Sequence, residues 1–89
     1  MRVKSGYILR EVAGNYIVVA VGKEAVDFNG LITTNETGAF LWKKLSDNIS
    51  EEELIAAMLE EYEVDAETAA ADISSFILKL KEAELLINE

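Results

Sequence analysis

Eighty-nine residues allow one small domain, and a chain with 51% hydrophobic and 28% charged side chains has the composition of a folded protein rather than a disordered tail. It contains no cysteine and no histidine, which excludes disulfides, thiolate nucleophiles, Cys-based zinc sites, imidazole ligands and histidine bases. The net charge of −9 is unevenly placed, +2 over residues 1–45 and −11 over residues 46–89; the acidic half repels phosphate backbones and anionic lipid and points to a protein or a basic peptide as partner.

Taken in chain order, Tyr7 to Val12 and Tyr16 to Val21 are rich in β-branched and aromatic residues, and Ala13-Gly14-Asn15 between them supplies turn chemistry, so the two runs predict a β-hairpin. The second run is apolar on both faces and reads as the better buried strand, while Arg10 and Glu11 mark the first as more exposed. It is also the longest apolar run, too short to cross a bilayer, and no apolar secretory segment opens the sequence, so the expected compartment is the cytosol. Ala25 to Phe28, the Asn29-Gly30 turn signal and Leu31-Ile32-Thr33-Thr34 predict a third strand.

After Thr34 the period becomes helical. Asn35 is a good N-cap, Glu36 stands where the helix dipole favours an anion, and Gly38, Leu41, Trp42 and Leu45 recur at helical spacing, predicting a first helix over roughly 36–46. Gly38 inside that helix costs about 1 kcal/mol in propensity, which points to close approach of a neighbouring element. Trp42 reads as a core anchor. Ser50-Glu51-Glu52-Glu53 is a capping box, and Leu54, Ile55, Met58, Leu59 and Tyr62 form the stripe of a second helix. Asp65 caps a third, whose apolar face is Ala69, Ile73, Phe76, Ile77 and Leu80 and which ends near Ala83, before Leu85-Leu86-Ile87. Leu78 falls on the opposite side of that helix.

The order is β-β-β-α-α-α. Three short strands and three amphipathic helices each need a partner surface, so the expected fold is α+β, a winged helix-turn-helix-like domain over 1–89 with the helices on one face of a small antiparallel sheet. Such a sheet leaves edge strands with unpaired backbone groups, a docking place for a peptide. Glu51-Glu52-Glu53 and Glu60-Glu61-Glu63 lack the spacing of a calcium loop and read as dipole-complementing, solvated surface, so no metal site is expected. Glu82 and Glu84 are paired carboxylates with nothing to place them in an apolar cleft, so no catalytic residue is assigned and no cofactor is expected.

The segment Thr34-Asn35-Glu36-Thr37-Gly38-Ala39-Phe40-Leu41-Trp42, followed by Ser50 with Glu53-Leu54 and then by Glu61-Tyr62-Glu63-Val64-Asp65, resembles the PqqD family, that of pyrroloquinoline-quinone biosynthesis protein D. The resemblance runs from Tyr7 to Leu86. It implies a winged helix-turn-helix-like recognition element that binds the leader of a ribosomally made, post-translationally modified peptide and presents it to a modifying enzyme, often a radical SAM protein. It further implies that the leader adds as an antiparallel strand beside the third strand and lies against the third helix. Carried onto this chain by position, the strand is Leu31, Ile32, Thr33 and Thr34, and the helix flank is Asp72, Ser75, Phe76 and Lys79, with Asp72 and Lys79 rimming a groove floored by Phe76.

Two other readings compete with this one. A DNA-binding winged helix would need a basic recognition face, and the third helix offers only Lys79 and Lys81 among Asp72 and Glu82. A structural or oligomerisation module would pair the sheet edge or the Leu78 face with a second copy, and a homodimer is compatible with peptide binding.

Overall fold

The computed structural model describes residues 1–22 and 32–87. Their elements are β1 (Arg2–Val3), β2 (Tyr7–Val12), β3 (Asn15–Ala20), β4 (Ile32–Thr34), α1 (Glu36–Lys44), α2 (Glu51–Glu61), α3 (Ala66–Glu82) and β5 (Leu86–Ile87). The expected α+β order of a three-stranded antiparallel sheet followed by three helices is present, in the strand order β2-β3-β4. The expectations for Ala25 to Phe28, Asn29-Gly30 and Leu31 lie outside the described residues.

The hairpin register pairs Val12 with Asn15, so its loop is the two residues Ala13 and Gly14. Both have positive φ, 51° and 82°, the backbone that matches the right-handed twist of the flanking strands. Pairing continues through Leu9↔Val18 and Val18↔Ile32, which sets these three side chains in one row on the face turned to the helices. Val18 is 1% exposed and Ile32 9%, and Leu9 packs against the same core.

Strand β3 is the better buried strand of the hairpin, as its apolar run predicts, and β2 the more exposed, but the burial is on one face. Only Val18 is fully buried in that strand; Ile17 and Val19, on the alternate face, are half-buried and outside the core cluster, and Val21 is exposed. The helices cover one face of the sheet, so an apolar pattern on both faces does not become burial on both faces.

Each helix begins where its cap dictates. Asn35 Oδ1 accepts from the Gly38 amide at 2.8 Å. Ser50 and Glu53 form the reciprocal box, with the Glu53 amide donating to Ser50 Oγ at 3.1 Å and the Ser50 amide to Glu53 Oε1 at 3.1 Å. Asp65 Oδ1 accepts from the Thr68 amide at 2.7 Å. These bonds satisfy amides that have no partner inside the helix. Helix α1 stops at Lys44 with Leu45 as its C-cap, slightly short of the expected 46, because Ser46 and Asp47 turn back onto Lys43 and Lys44 carbonyls in a tighter turn. In α2, Leu54 and Met58 are buried and Ile55 and Tyr62 pack on the core, but Leu59 is exposed. Steps of 100° put Leu59 about 140° from Leu54, beyond the edge of the apolar stripe it was expected to join.

The cap carboxylates make stability depend on pH. Hydrogen bonds from the Ser50 backbone and hydroxyl hold Glu53 below the usual glutamate value, and those from the Thr68 side chain and amide hold Asp65 below the usual aspartate value. A carboxylate depressed in the folded state stabilises the fold above its unfolded pKa and loses that contribution as pH falls through the folded one. The melting-temperature gap between the native chain and Asp65→Ala should therefore be full above about pH 5 and close on acidification toward about pH 2; a gap that widens in acid would contradict the cap assignment.

A second ribbon, β1 with β5, was not anticipated from the sequence. It pairs Arg2 with Ile87 and Val3 with Leu86. The Val3 amide reaches the Leu45 carbonyl at 2.9 Å, and the Lys4 amide the Leu85 carbonyl at 2.8 Å, tying the start of the chain to the ends of α1 and α3. The turn that feeds β5 has the pattern of a Schellman motif: Leu85 N–H donates to Leu80 O at 2.9 Å, Glu84 N–H to Lys81 O at 3.0 Å, and Glu84 takes φ 58°. Glycine is the usual residue in that conformation, and a Cβ there costs about 1–2 kcal/mol. Glu84→Gly should accordingly raise unfolding free energy by about 1 kcal/mol, read as a higher denaturant midpoint with unchanged slope; a lower midpoint would mean that the turn depends on the glutamate itself.

Candidate peptide-binding groove

A groove of about 260 Å³ lies between the β4–α1 corner and α3. Thr34, Asn35, Thr37 and Gly38 form one wall, Asp72, Ser75 and Lys79 the other, and Leu41 and Phe76 complete the lining. Phe76 is 8% exposed and Leu41 1%, so the apolar part of the groove is fixed in the core while its rim is polar. That combination suits a bound segment that buries an apolar side chain and leaves its backbone at the rim.

The groove exists because of one glycine. A Cβ on Gly38 would collide with Thr34 Oγ1 and stand 3.2 Å from Phe76 Cε1. The residue that looked expensive inside a helix is thus the one that lets β4, α1 and α3 converge. As the chain runs from Thr33 to Gly38, its neighbours on α3 run back from Lys79 to Phe76, so the β4–α1 segment and α3 are antiparallel across the groove.

Strand β4 is an edge of the sheet among the described residues. Lys79 Nζ donates to the Thr33 carbonyl at 2.9 Å. Since β3 flanks β4 on its other side, this carbonyl points away from the sheet. In an antiparallel strand the amide and carbonyl of one residue point the same way, and the next residue's point oppositely. Thr33 therefore offers its amide to the open edge, whereas the amides of Ile32 and Thr34 are directed to β3.

Of the eight residues expected from position, Thr34, Asp72, Ser75, Phe76 and Lys79 line the groove. Thr33 is exposed at the edge, Ile32 is buried in the core, and Leu31 lies outside the described residues. Asn35, Thr37, Gly38 and Leu41 were missed as lining. Their signal was present, because Asn35 caps the helix and Gly38 is the costly glycine that points to a close approach, but neither observation by itself marks the wall of a groove. A second depression, near Met1, Asn48 and Ile49, is explained by structure: the Met1 ammonium donates to Asn48 Oδ1 at 2.7 Å and to the Ile49 carbonyl at 3.1 Å.

Among the described residues no group of three or more Asp, Glu, His or Cys is placed to hold a metal ion, and no helix is long and apolar enough to cross a membrane. The groove has hydrogen-bonding groups of both kinds, one carboxylate and one ammonium over an aromatic floor, which is equipment for recognition.

No curated protein is matched by the sequence. Among solved structures, the chain is similar to TbiB1 in complex with the TbiA(beta) leader peptide, with a TM-score of 0.76 and 20% identity over 100% of this chain and 98% of that one. It is also similar to a lasso peptide synthetase B1 complexed with its leader peptide, with a TM-score of 0.72 and 21% identity over 98% of this chain and 96% of that one. At these identities the likeness is one of fold. The model of the coenzyme PQQ synthesis protein D family matches residues 8–86, nearly the whole chain and including every residue of the groove, and the protein belongs to the PqqD family.

Proposed function

We propose that this chain is a non-catalytic adaptor, one recognition domain over 1–89, which binds the leader of a ribosomally made precursor peptide as an added strand on the free edge of β4 and presents it to a modifying enzyme. The observation that carries the reading is the edge of β4, open among the described residues, lying directly beside a groove floored by Phe76. Main-chain bonds to Thr33 supply sequence-independent affinity, and the groove selects alternate side chains of the added strand. The two similar structures, each a complex with a leader peptide, support the same reading. Its peptide site is Ile32, Thr33 and Thr34 of β4 with Asp72, Ser75, Phe76 and Lys79 of α3, together with Leu31, which lies outside the described residues; Asn35, Thr37, Gly38 and Leu41 extend it.

The enzyme partner suggested by the family resemblance is a radical SAM protein, and the working compartment is the cytosol, where such precursors are made. An adaptor of this kind acts by raising the effective concentration of precursor at the enzyme. A homodimer would use Leu78, 57% exposed on the side of α3 away from the core, and shows itself as concentration-dependent mass.

A displayed library of random peptides selected against the folded protein tests the reading. Amide exchange at Thr33 should slow when the selected peptides bind. If none of them protects Thr33, strand addition at β4 is wrong.

A further inference from the structure

The contact between Lys79 and Thr33 bears on which peptides the groove accepts, provided that a peptide adds to β4 as proposed above. In the free chain the ammonium occupies the carbonyl that an incoming strand must use, since Lys79 Nζ sits 2.9 Å from Thr33 O. A lysine that covers an open edge also discourages strand pairing between copies. An added strand competes with it for that oxygen, and the ammonium it displaces, at the exposed rim of the groove, is left to water or to a new partner. A carboxylate is the partner that restores a charge-assisted bond.

We propose that Lys79 is an edge guard and a specificity determinant, yielding the Thr33 carbonyl to peptides that bring a carboxylate to the position facing it. The register follows from the geometry. A peptide antiparallel to β4 runs parallel to α3, because α3 is antiparallel to the β4–α1 segment. The peptide residue opposite Thr33 turns its side chain to the same face as Thr33, away from the helices. The residues on either side of it turn toward the groove. The one that follows lies opposite Ile32, toward Lys79, and carries the carboxylate. The one that precedes lies opposite Thr34, over Phe76, and is apolar.

Two residues further toward the peptide's N-terminus, the next groove-facing side chain reaches the Asp72 end and is basic or a hydrogen-bond donor. Asp72 and Lys79 are two helical turns apart, about 10.5 Å, and four strand residues span about 13 Å, so both ends can be met by one extended segment. The recognised peptide thus reads basic or donor, any, apolar, any, acidic. The two intervening side chains face away from α3 and are free to vary. The acidic half of the chain would by itself attract basic peptides; this groove asks for one carboxylate at a defined place.

The experiment uses peptides recovered from the displayed random library on the native protein. Those that protect the Thr33 amide should be enriched in Asp or Glu at the position following the residue opposite Thr33. Replacing that carboxylate by its amide should weaken binding about three- to fivefold on the native protein, the upper range for an exposed ion pair, and less than twofold on Lys79→Met, while Lys79→Glu should select Lys or Arg at the same position. Lys79 is exposed, and the melting temperature of each variant confirms that it folds. Peptides that protect Thr33 without acidic enrichment, or whose amide variants bind equally well, overturn the role of Lys79 and leave strand addition standing. A selection in which no peptide protects Thr33 overturns both.

Discussion

Thr33→Pro should leave the fold standing and reduce affinity for a peptide that adds to β4 by at least tenfold, about 1.4 kcal/mol. Proline removes one amide, and at Thr33 that amide faces the open edge, where its loss costs the sheet no ladder bond. The peptide loses its donor and also meets a pyrrolidine ring where its own carbonyl would sit. Ile32→Pro is the informative contrast. The Ile32 amide is directed to β3, opposite Val18, and its side chain belongs to the core, so the substitution should damage the sheet itself. Both substitutions remove one strand amide, and the Lys79 contact with Thr33 O is what separates them. A Thr33→Pro variant that melts like the native chain and binds the peptide unchanged would remove the basis for strand addition at this edge.

Trp42→Ala should lower stability by about 3–5 kcal/mol, the usual range for truncating a buried aromatic to alanine. Trp42 is 4% exposed and lies in the cluster with Leu41, Leu45, Leu54, Met58 and Leu80. Domains of this size hold about 5–15 kcal/mol in all, so the variant would be marginal, with a melting temperature lower by at least about 12 °C. Trp42 does not line the groove. Peptide affinity measured well below the variant's melting temperature should therefore stay close to native. A small thermal effect joined to a large loss of affinity would make the indole a ligand contact instead of a core anchor.

Much of this fold was legible in the residues because local signals agreed with one another. The three caps, Asn35, Ser50 and Asp65, each act as their side-chain chemistry requires, and the stripes of α1 and α3 are the buried faces. The hairpin turn at Ala13-Gly14 was equally readable. What escaped was non-local. Nothing in Arg2-Val3 or Leu86-Ile87 announces that they pair, since a two-residue ribbon has no periodicity, and only the turn at Glu84 brings β5 beside β1. That only one face of β3 is covered is non-local as well: an apolar run marks the better buried strand of the hairpin, but not which of its faces another element covers.

The groove divides in the same way. Asp72, Ser75, Phe76 and Lys79 could be placed on one helix flank by counting steps of 100°. That Gly38 lets this flank close onto Thr34 depends on a tertiary approach of two elements, which the cost of the glycine hinted at without naming the partner. The Lys79 bond to the Thr33 carbonyl spans 46 positions and has no local signature at all.

The most direct test of the central claim is an amide chemical-shift titration of the isotope-labelled protein with a peptide from the displayed library, at physiological salt. The account predicts saturable shifts centred on Thr33, Thr34 and the Asp72 to Lys79 flank, with Thr33 passing into slow exchange with solvent. Saturable shifts confined to the opposite face of the sheet, around Ile17 and Val19, or to the Leu78 side of α3, with Thr33 unmoved, would contradict it.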